Sequence, residues 1–104
     1  MNQFHEMTVF LAVADAGSFS GGARRLEMSA PTVTRSVAAL ERRLGALLLV
    51  RTTRSLRLTE AGQRYAADCR RILEDVERAD DAAAGAMAVP RGALAITAPA
   101  LFGE

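Results

Sequence analysis

The sequence holds 104 residues, half of them apolar, with five aromatic side chains, no tryptophan and a formal charge of +1. That length allows one small domain and little more, with a core built from Leu, Val, Ala, Met and four Phe. A single cysteine, Cys69, excludes an intramolecular disulfide or a cysteine-based zinc site, and no apolar run approaches the ~18 residues of a membrane span.

Asn2 is placed to cap a first helix, in which Phe4, Met7, Phe10, Leu11 and Ala14 recur at steps of three and four until Gly17 stops it. Ser18 or Ser20 caps a short second helix through Leu26, with Phe19, Ala23 and Leu26 facing inward. Gly21 and Gly22 each cost roughly 0.5–1 kcal/mol against alanine in a helix interior, so this helix needs tertiary support. Ser29 caps a third helix with Pro31 in its first turn, where a missing N–H does no harm. Val33, Val37, Leu40 and Leu44 form one buried stripe, and Gly45 ends it.

Residues 47–58 read as a short hairpin: Leu48, Val50 and Thr52 are β-prone, Thr53, Arg54 and Ser55 make a polar, basic tip, and Leu56 and Leu58 alternate with Arg57. Thr59 caps a fourth helix to about Ala86. Along it Tyr65, Cys69, Ile72, Val76, Ala79, Ala83 and Ala86 are spaced alternately by four and three, a heptad seam that asks for a partner. Pro90 and Gly92 break the pattern, and 93–97 reads as a strand with nothing to pair with, so the sequence reads as the front part of a longer one.

The fold class is therefore mainly α: a winged helix-turn-helix of three helices and a two-stranded wing, followed by a long helix. The charge is unevenly spread. From Ser18 to Arg71 eleven arginines face four carboxylates, for +7, whereas 72–81 carries −4. A basic head suits a polyanion, and the second motif helix of this fold lies in the major groove. Ala30, Thr32, Thr34, Arg35 and Ser36 stand at or near the exposed start of that helix, short or polar enough for close approach. Arg35 suits a guanine edge or a phosphate, and Arg51 and Arg54 on the hairpin suit the flanking backbone or minor groove. His5 has no metal-spaced neighbours, and Glu6, Asp15 and Glu41 are too scattered for a catalytic pair, so neither an enzyme, a metal nor a cofactor is expected. Cys69 reads as a packing residue rather than a redox sensor. The polar, acidic residues 1–6 are unlike a secretory leader, which makes a cytoplasmic location the default.

Phe10-Leu11-Ala12-Val13-Ala14-Asp15-Ala16-Gly17-Ser18-Phe19-Ser20, Ala23-Arg24-Arg25-Leu26, Ser29-Ala30-Pro31-Thr32-Val33-Thr34-Arg35, Leu40-Glu41-Arg42-Arg43-Leu44-Gly45, Arg51 with Thr53-Arg54, and Leu58-Thr59-Glu60-Ala61-Gly62 together resemble the LysR-type bacterial transcription regulators over residues 4–73. Gly21 and Gly22 stand where that family usually has alanines, Ala30 where Gln is common, and Leu49 where Phe is common; Ala30 offers a base only a methyl contact. The resemblance implies a helix-turn-helix over 19–38 and a groove-facing set of Ser29, Pro31, Thr32, Thr34 and Arg35, with Arg51, Thr53 and Arg54 on the wing. It implies a linker helix, 59–88, that pairs antiparallel with its dimer mate through Tyr65, Cys69, Ile72, Val76, Ala79 and Ala83. Residues 1–58 are then the DNA-binding domain, and 89–104 the hinge and first strand of an effector-binding domain. The dimer is expected to bind a partly palindromic double-stranded operator; the full protein is expected to be a tetramer with a small-molecule effector on the remaining domain. A protein-interaction or dimerisation module, with the heptad helix as its working surface, is the alternative.

Overall fold

A computed structural model describes residues 3–53 and 55–86, with Ala86 described by its backbone alone. Asn2, Arg54 and the expected hinge and strand at 89–104 lie outside these residues. The elements are helices α1 (Gln3–Ala16), α2 (Phe19–Leu26) and α3 (Ala30–Leu44), strands β1 (Leu49–Arg51) and β2 (Leu56–Leu58), and helix α4 (Glu60–Ala86). The described residues up to Glu74 form one compact unit, and those from Asp75 to Ala86 belong to a second. The first unit therefore takes in the opening turns of α4 together with the helix-turn-helix and wing.

Helix α1 is the centre of the core. Met7, Val9, Phe10 and Val13 are buried. The expected stripe placed its inner face differently, and Phe4 is in fact 52% exposed. The run from Met7 to Val13 is apolar except for Thr8, so spacing alone selects no single face. Neighbours make the choice, because α2, α3 and the first turns of α4 all pack around this helix.

Gly17 ends α1 at φ +75°, its N–H donating to the Val13 carbonyl at 2.9 Å. Ser18 then caps α2, its Oγ accepting from the Gly21 N–H at 2.9 Å. The two glycines of α2 are explained by close helix approach. A Cβ at Gly22 would lie 2.8 Å from Val13 Cγ2 and 2.9 Å from Val13 Cα, so only glycine lets α2 approach α1 this closely. One at Gly21 would lie 2.9 Å from Ala16 Cβ.

Helix α3 is capped by Ser29 as expected and closes at Gly45, whose left-handed backbone ends the helix with its N–H on the Glu41 carbonyl at 2.8 Å. Val33, Val37 and Leu40 are buried, but Leu44 is 38% exposed, so the stripe stops one turn early. In that last turn Arg43 reaches α1 instead, donating from Nε and Nη2 to Glu6 Oε1 at 3.1 and 2.7 Å.

The wing pairs antiparallel with Leu49 opposite Leu58, Val50 opposite Arg57 and Arg51 opposite Leu56. Its tip is closed by the Thr52 N–H to the Ser55 carbonyl at 2.8 Å and by the Ser55 N–H to Thr52 Oγ1 at 2.9 Å. Its base is fixed more heavily. Glu41 Oε2 accepts from the N–H groups of Leu48 and Leu49 at 2.8 and 3.2 Å. The Thr59 N–H donates to the Leu48 carbonyl at 3.0 Å, and Thr59 Oγ1 donates to the Leu47 carbonyl at 2.7 Å. Thr59 also caps α4, accepting from the Gly62 N–H at 2.9 Å.

The expected seam on α4 divides in two. Cys69 has no exposed surface, Ala66 is buried, and Tyr65 sets its ring 5.6 Å from that of Phe10. Tyr65 and Ile72 pack against the same core. Cys69, expected on a partner-facing seam, is thus covered by its own chain, whereas Tyr65 and Ile72 are only partly covered by it. Arg70 adds an ion pair to Asp15 at the end of α1. In the second unit Val76, Ala79 and Ala83 are exposed.

Candidate nucleic-acid interface

The turn between α2 and α3 sets how the third helix is presented. Glu27 takes the left-handed conformation, φ 56°, unusual for a residue with a side chain. It lets the Met28 N–H bond the Ala23 carbonyl at 3.0 Å, closing α2. Ala23, Val33 and Val37 are buried beneath the motif, with Phe19 and Leu26 partly buried against the same core.

On the outer surface the first turn of α3 carries a hydrogen-bonded ladder. Ser29 Oγ accepts from the Thr32 N–H at 3.3 Å and lies 2.7 Å from Thr32 Oγ1. Arg35 Nη2 donates to Thr32 Oγ1 at 3.4 Å. Ser29, Pro31, Thr34 and Arg35 are exposed, and Thr32 is partly so. This is the free end of a helix, where unused N–H groups and the positive end of the dipole favour an anion.

Two predicted members of the surface move. Ser36 is only 5% exposed and joins Val33, Val37 and Leu40 on the inner face; the 3-1-3 spacing places it there although its polarity suggested the outside. Ala30 is partly buried against the core, which leaves it little surface to offer a base edge.

On the wing, Arg51 and Thr53 are exposed. Arg51 holds its guanidinium over the Phe19 ring, 4.8 Å from the centroid, a cation–π contact joining the wing to the start of α2. A shallow cleft of about 340 Å³ opens there, lined by Ser18, Phe19, Ser20, Arg51, Thr53 and Ser55 among others. Phe19's second role, as the seat of an arginine, had no sequence signal beyond the residue types. The exposed Arg24, Arg25 and Arg57 also belong to the basic head, and the charge count of the segment is the signal that contained them. Among the described residues there is no cluster of three His, Cys, Asp or Glu side chains fit for a metal, and no helix is long and apolar enough to cross a membrane.

Comparison with known proteins gives a consistent result. Residues 4–63 match the model of the family described as bacterial regulatory helix-turn-helix protein, lysR family. An HTH-type transcriptional regulator of Xanthomonas campestris pv. campestris (strain 8004) is 41% identical over 102 residues, which is 98% of this chain and 30% of that protein. The regulator TcbR of Pseudomonas sp. (strain P51) is 41% identical over 101 residues, 97% of this chain and 33% of that one. The chain thus spans about a third of the length of these relatives. Among solved structures, the DNA-binding domain of CbnR in complex with DNA superposes with a TM-score of 0.78 at 42% identity, over 83% of this chain and 99% of that one. Full-length CbnR, a LysR family transcriptional regulator, gives 0.75 at 43% identity, over 79% of this chain and 28% of that one. The winged helix-turn-helix, its basic outer surface and these matches agree: the chain belongs to the LysR family of bacterial regulatory helix-turn-helix proteins.

Proposed function

We propose that this chain is the DNA-binding head of a transcription regulator, reading an operator with the first turn of α3 and gripping the flanking duplex with the wing. The observation that carries this is the exposed set Ser29, Pro31, Thr34 and Arg35 at a free helix start, on a head whose charge is strongly positive. The similar CbnR domain was solved as a DNA complex, which supports the same use here. Arg51, seated on Phe19, is the wing's contact to backbone or minor groove.

The chain pairs with a second copy through the outer part of α4, where Val76, Ala79 and Ala83 offer an apolar, small-residue stripe that the described residues leave exposed. Two heads then address the two halves of a partly palindromic site. In a protein of the relatives' length, tetramer formation and a small-molecule effector are assigned to the domain beyond the linker helix.

The test is fluorescence anisotropy with duplexes enriched from a random pool by the chain itself, compared with scrambled duplex at moderate salt. A preference of about 10³-fold or more is the expected outcome for a dimer; equal affinity for both overturns the reading. A chain that dimerises but shows no salt-dependent DNA binding favours the interaction module instead.

A further inference from the structure

Resting on that reading, we infer that Thr32 is a positioning residue that couples Arg35 to Ser29 in a one-way hydrogen-bond relay, and that the relay directs the Ser29 hydroxyl at the DNA. Arginine can only donate, so Thr32 Oγ1 accepts from Arg35 Nη2 across the 3.4 Å separation. A hydroxyl that accepts from a cation becomes a stronger donor. In the relay, Thr32 donates its proton to Ser29 Oγ, 2.7 Å away, the direction this polarisation favours. Ser29 Oγ also accepts from the Thr32 backbone N–H, as the helix cap. With both acceptor positions of Ser29 filled from inside the helix, its own O–H has no role in the cap and faces outward from an exposed residue. The relay thus converts a helix cap, normally an acceptor, into a donor aimed at an oxygen or nitrogen acceptor of the duplex. It also holds the arginine over the helix start before DNA arrives, so less side-chain freedom is lost on binding.

The informative variant is Thr32→Val, which deletes the hydroxyl, keeps the branched shape and has similar helix propensity. Its thermal midpoint should match the wild type, because the Ser29 cap to the Thr32 N–H survives. On the duplex enriched by the wild-type chain, Thr32→Val should bind about three- to tenfold more weakly, the range for one hydrogen bond. On scrambled duplex its affinity should stay within about twofold, and Thr32→Ser should restore binding to the enriched one. In an Arg35→Ala background, adding Thr32→Val should change affinity by less than about twofold, because the relay has already lost its source. Wild-type affinity for Thr32→Val on both duplexes, equal weakening on both, or effects of the two substitutions that simply multiply would each overturn the relay while leaving DNA reading intact. A wild-type chain that enriches no sequence would overturn the functional reading and the relay with it.

Discussion

Gly62 shows how much one missing methyl group decides. A Cβ there would stand 2.0 Å from the Leu48 carbonyl oxygen and 2.9 Å from its carbon, both backbone atoms at the base of the wing. Neither can move without pulling the wing off α4, so Gly62→Ala should destabilise the head by about 3 kcal/mol or more, read from the midpoint of urea unfolding. Gly22→Ala meets Val13 at 2.8–2.9 Å and should cost about 1–3 kcal/mol by the same measurement. Cys69 makes the opposite kind of statement. Burial pushes its thiol up from the ordinary value, partly offset by a hydrogen bond with Tyr65, so it stays protonated and covered at neutral pH. Iodoacetamide should leave it unmodified in the native chain and alkylate it quantitatively in urea, as mass spectrometry will show; rapid labelling of the folded chain would contradict its place in the core. Its role as a packing residue was legible from its type and spacing. The surface it packs on was not, because the residues of α1 that cover it lie some 60 positions earlier in the sequence.

Among the elements, the ends were more legible than the faces. Ser18, Ser29, Thr59 and Gly45 cap where their chemistry places them, since a cap is a local hydrogen bond needing only three or four residues. The inner face of α1 and the last turn of α3 were misplaced, since each depends on what packs against it. Glu41 illustrates the gap. It looked like one of several scattered acids, yet its carboxylate ties α3 to the wing through the N–H groups of Leu48 and Leu49. Glu41→Ala strands two donors on the buried residues Leu48 and Leu49, and should cost about 1–3 kcal/mol or more, read by urea unfolding. Native-state hydrogen exchange should speed at those two amides before it speeds in α1. At the start of α3, the exposure of Thr34 and Arg35 could be placed from helical spacing after a cap and that of Pro31 from the family resemblance, whereas Ser36 could not, because its polarity outweighed its spacing.

For the molecule as a whole, the segregation of charge was plain in the sequence and carries through to an exposed basic head. The division of α4 was hidden. A four-three repeat states that a stripe must be covered, without stating whether the cover is the same chain or another, and here the first half is taken by the head. The ion pair that helps hold it there gives the head a pH dependence. Arg70, by hydrogen bond, holds the Asp15 carboxyl below its usual range despite partial burial. A carboxylate with a depressed folded pKa stabilises above its unfolded value, near pH 4, and loses that contribution as pH falls through the lower folded value. The pair is partly exposed, so its worth is about 1 kcal/mol or less. Asp15→Asn should therefore lower the urea midpoint at pH 7 and leave it nearly unchanged at pH 2, and raising the salt should shrink the difference at pH 7.

The uneven anchoring of the wing has a consequence for length variation. Its base is bonded to α3 and to the first turn of α4, with no slack between Leu48 and Gly62. Among the described residues, its tip is closed by local contacts between Thr52 and Ser55. Extra residues spliced in at the tip would lengthen a local loop and leave the helices undisturbed, whereas the same insertion at Leu47 or Thr59 would unseat two helices at once. The tip is thus the place where such a head can gain reach, and with it a new footprint on its target, without having to refold.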